Sequence, residues 1–477
     1  MNGFWIGSII YIVVLFFVCV RILYETHSTT KTLAYLLFCV FIPFIGIMFY
    51  LAFGVNYWKT KLYAAKLTED DQLLREMDEH LPKKDRNQNF PDADNDELAA
   101  MLVTSLKSPV TFNNKVKLLI NGEEKFPEVV DAIRNARHHI HLEYYIYEQD
   151  TIGGQLIELL ICKAKEGVEV RFIYDDFGSP SIKKKVEKKM TEAGIQVHPF
   201  SKVHFYLLAN RINYRNHRKI IVIDGQTGFV GGINVSDKYI NNDPKARYWR
   251  DTHLRIDGSG VFYLQYLFMA DWNFCCDEKL RPAEKYFVGQ VATFGSTVLQ
   301  IAGSGPDSTQ PSILFSILQA IYLAKVEILI TTPYFIPGDS IMDALRIAAL
   351  SGISVKLLVP GKYDSKLVNS ASRANYNEML QAGVEIFLYQ KGFVHAKTIV
   401  TDSKLSIIGT SNMDHRSFQL NFEVNAIVYN EDLAIQLRNV FFKDLAHTEK
   451  LDATIWYKRS FMQQLPEKLS RLLSPAL

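Results

Sequence analysis

Residues 217–234 read HRKIIVIDGQTGFVGGIN, and residues 395–412 read HAKTIVTDSKLSIIGTSN. His217, Lys219, Asp224, Gly231 and Asn234 return as His395, Lys397, Asp402, Gly409 and Asn412 at identical spacing. A motif met once carries a high false-positive risk, but five residue types repeated at the same intervals do not. The surroundings repeat as well. KLLIN (117–121) and VLQIA (298–302) each lead into a helical stretch. HIHLEYYIY (139–147) and EILITTPYFI (327–336) follow. Helices ending at Gly167 or Gly352 precede the apolar runs VEVRFIYD and ISVKLLVP, and helices ending at Gly194 or Gly383 precede AGIQV and AGVEI. Each half thus reads strand, helix, strand, helix, strand before its motif, which predicts an α/β fold with largely parallel sheets.

In an extended strand, side chains two apart share a face, so His217 projects with Lys219, and His395 with Lys397. Brought together around a pseudo-twofold axis, the two copies put two imidazoles, two ammoniums and two amides on one pocket, which suits a phosphodiester. One neutral imidazole attacks phosphorus, and the other, protonated, gives its proton to the departing alcohol. Lys219, Lys397, Asn234 and Asn412 hold the oxygens on which charge builds, and the nearby glycine lets backbone approach closely. The requirement for one neutral and one charged histidine implies a bell-shaped pH profile. Metal binding fits poorly, because each histidine has a lysine beside it and no His or Cys cluster completes a shell.

Two carboxylates follow the motifs: Asp251 lies 34 residues after His217, and Glu423 lies 28 after His395. Each is expected to bond the far nitrogen of the histidine in its own half, fixing the tautomer and stabilising the imidazolium. Asp224 and Asp402 fall on the opposite strand face from the histidines. They belong to the motif and so to the candidate catalytic set, with a structural or orienting role. Asp271 and Asp444 lie at like offsets on later helices and read as solvated or capping residues.

The paired HxKxxxxD motifs resemble those of the phospholipase D superfamily over the chain from about Asn113 to the C-terminus. With two apolar stretches ahead of them, the arrangement is similar to the bacterial cardiolipin synthase family. The resemblance implies two similar halves forming one pseudo-twofold catalytic unit, with no metal or other cofactor. It implies that His217 is the nucleophile and His395 the acid. It also implies a phosphatidyl-enzyme attacked by a second lipid's hydroxyl, with phosphatidylglycerol as donor and acceptor and with cardiolipin and glycerol as products.

Charge and composition are consistent with this and limit the alternatives. The 53 basic and 51 acidic residues of the 477 leave a net charge of only +2, without the strong basic surface that favours nucleic acid as partner. Cys19, Cys39, Cys162, Cys275 and Cys276 show neither metal-ligand spacing nor a disulfide framework. No charged residue occurs from Phe4 to Val20 or from Thr32 to Tyr57. Against the ~20 residues needed to cross hydrocarbon, these predict a two-helix transmembrane hairpin, the second helix kinked near Pro43 and Gly46. Arg21 and Lys31 flank the connecting loop, whereas Lys59, Lys61, Lys66 and Arg75 follow the second run. That bias puts the catalytic unit on the cytoplasmic side of a bacterial cell membrane.

The expected organisation is a hairpin over 1–58, a charged helix and linker over 59–112, a first half over 113–290 and a second over 291–477. The first half carries 11 extra residues before its motif, around PFSKVHFYLLANRINYR (199–215), a mixture of aromatic and basic side chains suited to a lipid interface or to packing over the core. SIKKKVEKKM (181–190) reads as a helix that is solvated or held to an anionic leaflet. The tail from Trp456 to Leu477 reads as an amphipathic helix on the membrane or on the protein body.

Alternatives within the chemistry are a phosphatidylserine synthase or a hydrolytic phospholipase D, since only access of water decides between transfer and hydrolysis. A membrane-tethered nuclease or a non-catalytic lipid-binding scaffold are the readings from other classes. His217→Ala separates the scaffold from an enzyme: phospholipid binding persists in vesicle co-sedimentation while product formation is lost, whereas a scaffold has no turnover to lose.

Overall fold

The computed structural model describes residues 3–26, 29–42, 44–50, 57–80, 90, 92–182, 184–200, 214–287, 294–472 and 474. The chain divides into two compact units, Met1–Asp70 with Val203–Tyr214, and Asp71–Lys202 with Arg215–Leu477.

In the first unit, helix α1 (Gly3–Glu25) covers the first apolar run in 23 residues. The second run divides into α2 (Thr29–Phe41, 13 residues) and α3 (Ile45–Phe49, 5 residues). Phe44 between them has a φ of +63°. A Cβ at Gly46 would lie 2.3 Å from the Phe38 carbonyl, so α3 folds closely back on α2. The run expected as one kinked span is therefore two helices, and residues 43 and 51–56 lie outside the described residues. Among the described residues, no helix is long and apolar enough to cross a membrane. Val18, Ile22, Cys39, Ile47 and Tyr50 form a small core, while Trp5, Ile9, Ile12, Phe16 and Phe17 on α1 face outward. Helix α4 (Tyr57–Asp78) covers the predicted charged helix.

The second unit begins its sheet with β1 (Thr111–Ile120). Helix Asn121–Asn135 leads to β2 (His139–Tyr144), helix Thr151–Lys165 to β3 (Glu169–Tyr174), and helix Lys184–Glu192 to β4 (Gln196–Pro199). Then come β5 (Lys219–Ile223), β6 (Thr227–Gly231), β7 (Tyr248–Arg250), β8 (Thr252–Asp257) and helix Val261–Cys275. The second half repeats this with β9 (Thr297–Ser304), helix Ser312–Leu323, β10 (Glu327–Thr331), β11 (Phe335–Ile336), helix Asp339–Leu350, β12 (Ser354–Pro360), helix Lys366–Gln381 and β13 (Glu385–Tyr389). It continues through β14 (Gly392–Val394), β15 (Thr398–Thr401), β16 (Leu405–Gly409), β17 (Met413–Asp414), helix His415–Gln419, β18 (Glu423–Tyr429), helix Glu431–Leu445 and β19 (Thr448–Lys450). Helices Ala453–Tyr457 and Phe461–Arg471 close the described chain.

Fifteen of these strands form one sheet in the order β19-β13-β12-β10-β15-β16-β18-β9-β1-β8-β6-β5-β2-β3-β4. Apart from the edge strand β19, the order reads the same outward from the β9–β1 seam, which makes the pseudo-twofold axis visible in the topology. Thr111 pairs with Leu299 across that seam, its hydroxyl donating to the Leu299 carbonyl at 2.9 Å. The sheet is mixed rather than largely parallel. Within this sheet only β2-β3-β4 and β10-β12-β13 run parallel, each neighbouring pair being connected through a helix that returns the chain to the same end, while the motif strands β5 and β15 turn back antiparallel. Every residue of β5 and β15 is buried, as their near-continuous apolar sequences require. Each half has its own core. Helix Asp96–Leu106, inside the stretch read as linker, packs Leu98 and Leu102 into that of the second half.

Asp224 and Asp402 sit in tight turns at the far ends of the motif strands, with φ of +53° and +54°. Asp224 accepts hydrogen bonds from the backbone N–H groups of Arg137, His138 and His139, and Asp402 from those of Lys325, Val326 and Glu327. Each ties the start of β2 or β10 to its own motif strand. Asp402→Ala leaves three donors without this partner and should lower stability by roughly 1–3 kcal/mol. The check is a lower denaturant midpoint together with turnover near the unmodified level at temperatures where the variant remains folded.

Candidate active site

His217 and His395 lie just ahead of β5 and β15, where both are seized by the other half. The His217 N–H donates to the Phe422 carbonyl at 2.9 Å, and the Phe422 N–H returns to the Arg215 carbonyl at 2.8 Å. In the pseudo-symmetric place, β14 pairs in parallel with β7, and the His395 N–H donates to the Arg250 carbonyl at 2.7 Å. The residue after each of these acceptors is a carboxylate. Glu423 therefore meets Nδ1 of His217 at 2.9 Å, and Asp251 meets Nδ1 of His395 at 2.7 Å. This corrects the expectation that each carboxylate serves its own half: the partners are exchanged across the seam. The backbone pairing that dictates the exchange is long-range, so the offsets of 34 and 28 residues do not contain it.

With Nδ1 donating to a carboxylate, each imidazole keeps Nε2 for chemistry. Glu423 is itself held by the Thr410 hydroxyl at 2.5 Å and the Asn421 amide at 3.2 Å. Asp251 accepts from the Thr252 N–H at 2.7 Å. A Cβ at Gly232 would lie 2.1 Å from Oδ1 of Asp251, so the glycine one position beyond Gly231 makes room for the carboxylate. Lys219 and Lys397 are buried below the histidines and donate to the carbonyls of His217 (2.7 Å) and His395 (2.5 Å). Lys397 Nζ also lies 3.1 Å from Nε2 of His395.

Histidines and asparagines line one cavity of about 470 Å³, with Tyr145, Arg215, Tyr334, Asp364, Asp414 and Arg416 among its other walls. Asn234 is oriented by the Ile146 N–H, which it accepts at 3.2 Å, and by the Tyr239 hydroxyl, to which it donates at 2.8 Å. The side-chain oxygen of Asn412 is buried without a hydrogen-bond partner among the described residues. Both terminal nitrogens of Arg215 are likewise unpartnered there, its guanidinium lying 4.5 Å from the centre of the Phe177 ring. These are groups positioned for a ligand's polar atoms. The sequence did carry a signal for Arg215, since it sits two residues before His217 and so shares its face. Arg215 also ends the stretch 199–215, whose aromatic and basic mixture suits a lipid interface or packing over the core and of which residues 201–213 lie outside the described residues. Arg416, Asp364 and Asp414 had no such signal.

Burial governs the titration of the cluster. It lowers His217 below the ordinary imidazole value, with Lys219 adding to this and Glu423 opposing it. It lowers His395 to about 3, Lys397 contributing and Asp251 opposing. Burial likewise brings Lys219 down to about 7 and Lys397 to about 8. Asp251 and Glu423 resist the upward push of burial because His395 and His217 stabilise their anions, and both end below the usual carboxylate range. The cluster thus favours neutral imidazoles and ammoniums that lose their protons readily.

Other expectations are corrected by packing. Asp271 and Asp444 are buried ion-pair partners rather than solvated residues. Arg218 donates to Asp271, and Arg250 Nε donates to Asp444 at 2.8 Å, the latter from one half to the other. His253 is buried on β8 outside the cavity, His415 starts a short helix, and His204 lies outside the described residues. The lysine-rich run forms helix Lys184–Glu192, in which Lys188 pairs with Glu192 and Lys189 with Glu158.

Residues 129–246 and 317–445 match the family described as cardiolipin synthase, PLD-like domain, and residues 9–54 match a phospholipase D-nuclease N-terminal family. The chain is 40% identical to a cardiolipin synthase of Alkalihalophilus pseudofirmus over 98% of its own length and 93% of that protein's. It is also 40% identical to the major cardiolipin synthase of Bacillus subtilis, covering 98% of each. Among solved structures, phosphatidylserine synthase of Haemophilus influenzae shares the fold with a TM-score of 0.59 at 14% identity, over 80% of this chain and 100% of that one. With two matched catalytic domains and full-length relatives at this identity, the chain belongs to the cardiolipin synthase family of phospholipase D-like phosphatidyltransferases.

Proposed function

We propose that the cavity transfers a phosphatidyl group from one phosphatidylglycerol to another, giving cardiolipin and glycerol. The observation that carries this reading is the exchanged pairing of His217 with Glu423 and His395 with Asp251, which turns two imidazole Nε2 atoms toward one cavity above two lysines. Nε2 of His217 attacks phosphorus and the glycerol oxygen departs, taking a proton from His395. His395 then removes the proton from the terminal hydroxyl of the second phosphatidylglycerol, whose oxygen displaces His217. One diester bond is broken and one formed, so no nucleotide is consumed. Lys219, Lys397, Asn234, Asn412 and Arg215 stabilise the equatorial oxygens. The diester's negative charge between the lysines raises the pKa of the acid histidine, so its proton arrives with the substrate.

One observation favours the opposite division of labour. Burial, with Lys397 beside the ring adding to it, lowers His395 far enough to hold it neutral, and neutrality suits the nucleophile. Rapid quenching in neutral denaturant during turnover, followed by peptide mass spectrometry at near-neutral pH, separates the two. A phosphatidyl adduct on the peptide containing His217 supports the first assignment, and one on His395 reverses it.

Residues 1–58 are proposed to anchor the chain in the membrane. The outward apolar side chains of α1 support this, because such a surface is costly in water and favourable in lipid. The basic flank after the second run supports a cytoplasmic position for the catalytic unit, halves 113–290 and 291–477.

Purified protein given phosphatidylglycerol vesicles in the presence of a chelator should yield cardiolipin and glycerol in equal amounts by mass spectrometry. Phosphatidic acid in their place would make water the acceptor and overturn the transferase reading. The pH profile of kcat/KM should be bell-shaped. Its acid limb lies below the ordinary imidazole pKa, since His217 is lowered and must be neutral. Its alkaline limb falls as Lys219 and Lys397, at about 7 and 8, lose the charge that holds the phosphate. Glu423→Gln removes the anion that raises His217's pKa, so the acid limb should move to lower pH while the rate drops by roughly 10²-fold or more.

A further inference from the structure

The last helix, Phe461–Arg471, is turned the opposite way from an ordinary surface helix, which buries its apolar stripe. Its polar side faces the protein: Glu467 and Ser470 are only 7% and 8% exposed. Glu467 accepts from Arg373 Nε at 2.8 Å and from Arg459 Nη1 at 2.7 Å, and Arg471 pairs with Glu378 at 3.1 Å. Its apolar side faces outward: Phe461, Met462, Leu469 and Leu472 are 67%, 73%, 56% and 76% exposed. The start of the helix is fixed by a capping box between Ser460 and Gln463, so the orientation is built in.

The ion pairs also set a direction. Arg373 meets Glu467 and Glu378 meets Arg471, so the helix runs parallel to helix Lys366–Gln381. The Phe461 end therefore lies toward the start of that helix, where Ser365 and Val368 line the catalytic cavity and Leu367 is exposed. The one carboxylate of the last helix is turned inward against two arginines, while Lys458 and Lys468 are exposed.

We propose that this stripe seats the catalytic unit on the surface of an anionic bilayer, holding the cavity mouth at the level of lipid headgroups. Phe461, Met462, Leu469 and Leu472 enter the interface, and Lys458 and Lys468 meet lipid phosphates. A second copy of the chain fits less well, because a stripe of three turns falls short of the ~800 Å² per partner of a stable interface, and two such faces would oppose like charges. The inference rests on the phospholipid reading above.

The test uses the full chain in lipid nanodiscs. The triple variant Phe461→Ser, Met462→Ser, Leu469→Ser should turn over disc-resident phosphatidylglycerol at least about ten-fold more slowly, yet turn over water-soluble dihexanoyl phosphatidylglycerol within about two-fold of the unmodified chain. No loss, or equal loss on both substrates, overturns the proposal. Independently, a fluorophore on Met462→Cys should be quenched by spin-labelled lipid in the disc beyond the quenching of the chain labelled without that substitution. Absence of quenching, or cross-linking between position 462 of two copies, overturns it. Failure of the unmodified chain to make cardiolipin from either substrate would count against the proposed function, while the quenching still reads the docking.

Discussion

Glu423 holds His217 and Asp251 holds His395, so neither half of the catalytic unit orients its own imidazole. The exchange follows from backbone hydrogen bonds across the pseudo-twofold axis, which set each histidine opposite the residue before the other half's carboxylate. Folding and construction of the site are therefore one event. An isolated half would have a histidine without its carboxylate and a carboxylate without its histidine, each at the cost of an unsatisfied buried group. The seam between β1 and β9, continuous with the rest of the sheet, keeps the axis fixed to the precision that hydrogen bonds of this length need.

That arrangement also explains how so many ionisable groups share one buried place. Two ammoniums and two carboxylates lie together with the two imidazoles that line the cavity, and each carboxylate faces both a histidine and a lysine. Burial alone would discharge them all. The interleaving keeps the carboxylates ionised and leaves the lysines close to losing their protons. A cluster with two ammoniums, and with the Arg215 terminal nitrogens and the Asn412 oxygen unpartnered among the described residues, has donors and charge to offer an anion. Gly232 and Gly409 serve the same geometry. A side chain at the first would strike Asp251, and at the second would strike Asn425, which holds Ser411 beside Asn412.

The outer surface continues the theme of polar groups turned in and apolar groups turned out. Glu467 and its arginines lock the last helix so that Phe461, Met462, Leu469 and Leu472 face away from the protein. The helix packed beneath it begins at the cavity wall, so the proposed membrane-facing stripe and the reaction site share one rigid element.

The sequence alone determined the duplication, the two HxK pairs and the α/β alternation of each half, because these rest on local spacing and on periodicity within one strand or helix. It also pointed to Asp251 and Glu423 as carboxylates that meet the histidines, and to Asp224 and Asp402 as motif residues with a structural or orienting role. The tertiary structure decided which carboxylate serves which histidine, that the motif strands run antiparallel in a mixed sheet, that Asp271 and Asp444 are buried against Arg218 and Arg250, and that Arg215 aims into the cavity. It also decided that the last helix wears its apolar face outward. Each of these depends on a contact between residues distant in the chain or on which face an element presents to a neighbour. Composition and spacing constrain what a segment can be; only packing fixes what it meets.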